Sequence, residues 1–231
     1  MSKTHSVFQA VIHGRFSLLL FFTTFLFLVL PLIPVDRMAL NKGIDLFGLV
    51  ILLSCLRAIT QNHRFLIFMV IFSVVNVAIG GSSLFFTLSS SFQVTVLVAR
   101  LIFFCLVFVS IMKYVVDKTP ITSDKLAGAL SAYMLIGIIW SFIYALFFIQ
   151  NPNNFIFSNP LVSETHSWTV YFSFTTLTTL GYGDVIPAQP AVQNYSVMEA
   201  VFGQIFLAVV IARLVALQIL HTHPKKNELS M

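Results

Sequence analysis

The sequence predicts an all-α membrane protein with a four-helix N-terminal bundle followed by a separate helical domain. Of its 231 residues, 58% are hydrophobic and 9% are charged, whereas soluble domains carry about 25% charged residues. The apolar residues form runs of roughly 20, the length that a helix needs to cross a bilayer. The net charge is +5, but the basic residues are scattered between the apolar runs. A lipid bilayer is therefore the expected partner, and nucleic acid is not.

Six membrane-spanning helices are predicted. They lie at residues 16–33, 44–60, 65–80, 93–116, 126–149 and 193–220. Lys and Arg precede the first span, join the second to the third and the fourth to the fifth, and follow the sixth. Because basic connections are retained in the cytoplasm, both termini are predicted to be cytoplasmic, in a multi-pass protein of the plasma membrane. The first run is longer than a signal-peptide core and no cleavage site follows it, so we expect it to be retained.

A polar segment divides the chain into two units. Residues 117–125, DKTPITSDK, contain a proline and offer Thr122 or Ser123 as the N-cap of the next helix. Residues 1–116 are predicted to form the four-span bundle, and 126–220 a domain of helix, long polar excursion and helix. Residues 221–231 would then be a short cytoplasmic tail.

The polar excursion between the last two spans is the most informative part of the sequence. Its beginning, NPNNFIFSNPLVSE, is rich in turn formers without periodicity, which predicts an exposed loop. Residues 168–178 then suit about three helical turns, too few to cross the bilayer. A short helix at membrane depth requires protein or a water-filled cavity at its ends. We therefore expect a re-entrant helix followed by irregular backbone that lines a pore.

The next residues, TTLTTLGYGD at 175–184, have the chemistry that dehydration of K⁺ requires. Backbone carbonyls can replace the water shell of the ion without introducing fixed charge. Aiming successive carbonyls at one axis forces some residues to positive φ, which glycine tolerates, and Gly181 and Gly183 alternate suitably. Thr179 adds a hydroxyl at the inner end. The short helix would direct the negative end of its dipole toward the entering cation.

This stretch resembles the signature of the tetrameric potassium-channel family, T-V-G-Y-G-D. Residues 179–184 read T-L-G-Y-G-D, in which Leu180 replaces the usual valine. The carbonyl of Leu180, and not its side chain, would face the ion. The resemblance extends over about residues 126–220. It implies a pore domain of helix, pore helix, selectivity filter and helix. It also implies a C4 homotetramer with three further copies of the chain, because each chain carries one filter strand. The permeant ion would be K⁺, with no cofactor and no other metal.

Individual roles follow for the residues in and around the filter. The ion-binding residues would be Thr179, Leu180, Gly181, Tyr182 and Gly183. Support for the filter is expected from Thr178 before it, from Asp184 at the outer mouth, and from Tyr171 and Phe172 of the pore helix, beside the ring of Tyr182.

The last span would be the inner helix of the pore. Gly203 falls at the position of the family's hinge glycine. Residues at helical spacing could line the pore, or could pack on lipid and neighbouring helices: Gln204, Leu207, Ile211 and Val215. Glu199 lies about one turn before Gly203, and an acid within the membrane indicates a function. A hydrogen bond behind the filter is the preferred role, with a pore-facing acid that concentrates cations as the alternative.

The fourth span lacks the charge ladder of a voltage sensor. Positions 97, 100, 103 and 106 hold Leu, Arg, Phe and Leu. One arginine per subunit contributes at most roughly 2.3 kcal/mol per 100 mV, so a conventional voltage sensor is not expected. We expect Arg100 instead to form a structural ion pair with Asp45 of the second span. The alternative is that Arg100 extends to the membrane surface and Asp45 is solvated.

These features predict a potassium-selective channel that conducts passively and is not conventionally voltage-gated. The sequence contains no nucleophile–base pair, phosphate-binding loop or metal-ligand spacing, so an enzyme is not expected. Two alternatives remain open: a weakly selective cation channel, and a non-conducting membrane scaffold that retains the pore fold.

Overall fold

The computed structural model describes residues 16, 19–21, 24–25, 67, 70–72, 74–75, 90–117, 122–159, 162 and 167–216. Their regular elements are α1 (Ser90–Val116), α2 (Ser123–Gln150), a 3-10 turn (Pro152–Asn154), β1 (Phe155–Phe157), α3 (Ser167–Leu177), β2 (Val185–Pro187) and α4 (Pro190–Ile205), which continues into a π-helical segment (Phe206–Ile211). Among the described residues, three helices are long and apolar enough to cross a membrane: Ser91–Val116, Ser123–Gln150 and Pro190–Ala216. They coincide with the predicted fourth, fifth and sixth spans. The second predicted span and most of the first and third lie outside the described residues.

Helices α1 and α2 pack along one another. Their contact buries Phe103, Val107 and Ile111 of α1 against alanines of α2, including Ala129 and Ala132. Small residues let membrane helices approach closely, since lipid supplies no hydrophobic driving force between them. The contact joins the end of the predicted bundle directly to the pore domain.

A buried lysine at the start of α2 bonds to the end of α1. Helix α2 begins at Ser123 with Thr122 as its N-cap, so it takes in the last residues of the predicted linker. Lys125 is 1% exposed. Its ammonium donates to the carbonyl of Asp117 at 2.7 Å and lies 5.7 Å from the centre of the Tyr114 ring. A cation at a helix C-terminus is favoured by the helix dipole.

Two glycines allow the short helix α3 to fit between α2 and α4. A Cβ on Gly137 of α2 would lie 2.5 Å from the Phe174 ring. A Cβ on Gly203 of α4 would lie 2.4 Å from the carbonyl oxygen of Leu177, at the end of α3. Both distances are shorter than real contacts, so a larger residue at Gly203 would displace the backbone of α3 and one at Gly137 would displace the Phe174 ring.

Part of the start of the excursion is a strand, β1, and the prediction of a loop is wrong there, whereas Pro152, Asn153 and Ser158 around it are exposed as expected. Strand β1 pairs antiparallel with β2, with Phe155 opposite Pro187 and Phe157 opposite Val185. Successive strand residues point to opposite faces, and Phe155 accordingly lies 4.8 Å from the Trp168 ring while Ile156 is exposed. The residues just after the predicted filter are therefore tied to the segment that precedes α3.

The helix that begins with α4 contains an extra residue after Gly203. Its buried face passes through Val192, Ser196, Glu199, Gly203 and Phe206 at normal helical spacing. The next fully buried residue, Leu214, follows Phe206 by eight positions, whereas two α-helical turns take about seven. The π-helical segment Phe206–Ile211 accommodates the additional residue.

Candidate functional site

Helix α3 ends at Leu177, and the chain then turns sharply. The Thr178 amide donates to the carbonyl of Phe174 at 3.1 Å, and the Thr179 amide to that of Thr176 at 2.9 Å. The Thr178 hydroxyl also bonds the Phe174 carbonyl, at 2.6 Å. These bonds satisfy donors and carbonyls of the last helical turn. They orient the next five residues away from the helix axis.

The backbone of residues 179–183 alternates in handedness. Thr179, Gly181 and Gly183 have φ of +59°, +54° and +76°, and neither Leu180 nor Tyr182 has a positive φ. Glycine adopts such values without steric cost, whereas threonine rarely does. Backbone that alternates between right- and left-handed conformations turns successive amides to the same side. The conformation is thus suited to presenting carbonyls in a row.

Two hydrogen bonds fix the direction in which these carbonyls point. The amides of Leu180 and Gly181 both donate to the carbonyl of Thr175, at 2.8 and 3.1 Å. In a planar trans peptide the C=O points opposite to the N–H. The carbonyls of Thr179 and Leu180 therefore point away from α3. Within the part of the chain that the structure describes, the carbonyls of residues 179–182 accept no hydrogen bond.

The side chains of the segment diverge from its backbone row. Leu180 is 55% exposed and Tyr182 is 70% exposed in the single chain. The Tyr182 ring stacks on Tyr171 of α3, with centroids 6.5 Å apart and planes inclined by 4°. Phe172, in contrast, is buried on another side of α3, and its ring lies 4.8 Å from that of Tyr144.

Asp184 anchors the C-terminal end of the segment. Its carbonyl accepts from the amide of Ser158 at 2.9 Å, next to the β1–β2 pair, and its carboxylate accepts from the amide of Val185 at 3.2 Å. Partial burial raises the pKa of Tyr171 to about 12, and hydrogen bonding and charge from Asp184 act in the same direction. Asp184 therefore connects the strand pair, residues 179–183 and Tyr171 of α3.

A buried carboxyl group lies behind the segment. Glu199 of α4 is fully buried. Its Oε2 accepts from the Tyr144 hydroxyl of α2 at 2.6 Å, and its Oε1 lies in hydrogen-bonding contact with the Ser173 hydroxyl of α3. Ser173 Oγ also lies 2.7 Å from the carbonyl oxygen of Gly137. The sequence interpretation singled out Glu199 but missed Tyr144 and Ser173. The signal available was chemical, because a buried acid requires donors.

The residues predicted to line the pore lie on different parts of the inner-helix surface. Gln204 and Leu207 are exposed in the single chain, whereas Ile211 is half-buried and packs on the α1–α2 core. The π-helical segment separates Leu207 from the residues that follow it. A pore-lining stripe of residues at regular α-helical spacing therefore does not continue through the π-helical segment.

Arg100 is half-buried on α1. Asp45 lies outside the described residues, so the ion pair between them stays a prediction.

Membrane-crossing helices on both sides of a short helix and an extended carbonyl row define the class of an ion-conducting membrane protein. A family model described as "Ion channel" matches residues 65–218, and the chain belongs to this ion channel family. It is accordingly not an enzyme, and the family uses no cofactor. No curated protein and no solved structure matches the chain.

Proposed function

We propose that the protein is a potassium-selective channel whose pore is formed by four identical chains. The observation that carries the proposal is the backbone of residues 179–183. Its φ angles alternate in sign, and two of its amides are tied to Thr175. K⁺ loses its water shell only if oxygens replace it, and aligned carbonyls do so without fixed charge.

The number of chains follows from the number of filter segments. One chain carries one such segment, and a ring of carbonyls around an ion requires several, which closed cyclic symmetry supplies. The exposed Leu180 and Tyr182 next to the carbonyl row support this assembly, because neighbouring copies would cover them. Exposed apolar residues on α4, such as Val197, Phe202 and Ile205, would face copies or lipid.

Around this filter we propose the arrangement indicated by the sequence. Residues 126–220 form the pore domain, with Gly203 as the hinge of the inner helix and the exposed Gln204 and Leu207 near its inner cavity, whereas Ile211 packs on the α1–α2 core. Glu199 supports the filter from behind. Residues 1–116 form a bundle without a conventional voltage sensor. The protein lies in the plasma membrane with both termini in the cytoplasm.

The decisive experiment is the reversal potential of purified protein in liposomes with K⁺ on one side and Na⁺ on the other. We expect a reversal potential near the K⁺ equilibrium value. A value near zero would indicate a weakly selective cation channel, and absence of current would indicate a scaffold.

Gly181→Ala tests the role of the filter backbone. A side chain at φ +54° costs roughly 1–2 kcal/mol in the left-handed region, so we expect loss of selective K⁺ flux in a folded oligomer. The matched control is Leu180→Val, which lies in the same segment but leaves the carbonyl row intact and should retain selectivity. Normal selective flux in Gly181→Ala would refute the assignment.

A further inference from the structure

The contacts around Glu199 require more hydrogens than the neighbouring hydroxyls provide. There are three oxygen–oxygen contacts: Tyr144 with Glu199 Oε2 at 2.6 Å, Ser173 with Glu199 Oε1, and Ser173 with the Gly137 carbonyl at 2.7 Å. Oxygens at such separations have a hydrogen between them. Tyr and Ser each carry one hydroxyl hydrogen, and a backbone carbonyl carries none.

A protonated carboxyl group supplies the additional hydrogen. If the Ser173 hydrogen occupies the contact with the Gly137 carbonyl, which has no hydrogen to give, the contact between Ser173 and Glu199 needs a hydrogen on Oε1. The Tyr144 hydrogen occupies the third contact. A neutral Glu199 that donates to Ser173 therefore gives each contact its own hydrogen, whereas an ionised Glu199 leaves Ser173 to share one hydrogen between two acceptors.

The electrostatic surroundings point in the same direction. Glu199 is fully buried. Among the described residues it forms no ion pair, and its hydrogen-bonding partners are hydroxyls. The titratable groups that face it are Tyr144 and Tyr133, both on α2, and α3 contributes only the Ser173 hydroxyl. A buried carboxylate without a positive partner is costly, and protonation removes that cost.

We propose that Glu199 binds a proton within the membrane and that this proton holds α4 and α2 to the pore helix through Ser173. The inference goes beyond potassium selectivity and does not depend on it. Loss of the proton would leave three contacts with two hydrogens, so Ser173 would release either Gly137 or Glu199. Ser173 lies two residues before Thr175, whose carbonyl holds the Leu180 and Gly181 amides. Ionisation of Glu199 is thereby coupled to the position of the filter.

The test is infrared spectroscopy of the purified protein at neutral pH, with Glu199→Gln as the diagnostic variant. Glutamine matches the neutral acid, because its amide nitrogen can donate to Ser173 and its oxygen can accept from Tyr144. We expect the wild type to show the C=O stretch of a protonated carboxyl and Glu199→Gln to lack it. Asp117→Asn, which removes an exposed acid, should keep the band. If Glu199→Gln does not assemble, Glu199→Asp should shift the band instead. A wild type without the band, or a band indifferent to substitution at Glu199, would overturn the proposal.

Thermal unfolding provides an independent readout. An acid that is protonated when folded and ionised when unfolded makes the folded state lose stability as pH rises, until the folded carboxyl ionises too. Relative to Glu199→Gln, the wild type should lose about tenfold in its folding equilibrium per pH unit in that range. A constant difference between the two across pH would contradict the proposal. Both readouts are made without ion flow, so they succeed or fail separately from potassium selectivity.

Discussion

The carbonyl oxygen of Leu177 lies so close to Gly203 that a Cβ on that glycine would be 2.4 Å from it. The end of α3 thus lies directly against α4. The Leu177 carbonyl also accepts a hydrogen bond from the Tyr133 hydroxyl at 3.4 Å. The glycine expected to act as a hinge is therefore also the point at which α4 contacts the end of α3.

Gly203→Ala should destabilise the protein by about 1–3 kcal/mol, the usual cost of overpacking. The obstacle is a backbone oxygen, which no rotamer change can move away. We expect a lower Tm of the purified protein, and Leu177→Ala should not restore it, because the backbone oxygen remains.

Gly137→Ala is the matched comparison, because its obstacle is the side chain of Phe174. It should also lower the Tm, but a second substitution, Phe174→Leu, should recover part of the loss. Equal rescue at both sites, or a Gly203→Ala protein as stable as the wild type, would show that α3 does not rest on α4 in this way.

Voltage should have little effect on open probability between about −100 and +100 mV, because Arg100 is the one basic residue within α1 before its last turn. In the proposed tetramer, four such arginines would provide an effective valence of at most about 4, and only if each crossed the whole field. Single-channel recording measures this directly. A steeper conductance–voltage curve would require charges elsewhere in the chain to move.

Asp45→Ala should lower the Tm if Asp45 pairs with Arg100, because a lone arginine within a span costs roughly 2.5–3.5 kcal/mol. Adding Arg100→Leu removes the uncompensated charge and should recover much of the loss. The single variant Arg100→Leu completes the cycle. A double variant no more stable than Asp45→Ala would mean that the two residues do not interact.

Much of the described architecture follows from local signals in the sequence. The predicted span at 93–116 corresponds to α1 at Ser90–Val116, and the short helix predicted at 168–178 corresponds to α3 at Ser167–Leu177. Long apolar runs determine where helices cross a membrane, since every backbone polar group must be satisfied within it. The positive φ of Gly181 and Gly183 was likewise predictable, because a row of aligned carbonyls demands it.

Features that depend on distant residues were not predictable. Strand β1 forms because Val185–Pro187 lies beside it, about thirty residues later in the chain, and the residues on either side of β1 are strong turn formers. Ser173 resembles any other hydroxyl on a short helix until α4 brings Glu199 against it. The π-helical segment has no marker in an apolar run, because it arises from packing on two different neighbours.

The π-helical segment Phe206–Ile211 divides the helix that begins with α4 into two halves, which pack on different neighbours. Before this segment, Glu199 and Gly203 face α3. After it, Leu214 faces the α1–α2 core. One residue corresponds to about 100° of rotation in an α-helix. Removing a single residue between Phe206 and Ile211 would therefore rotate every later side chain of the helix by that angle about the helix axis. Glu199 and Gly203 would keep their positions. The rotation of the later half of the helix about its axis is set by the number of residues in this segment, and a substitution cannot change it.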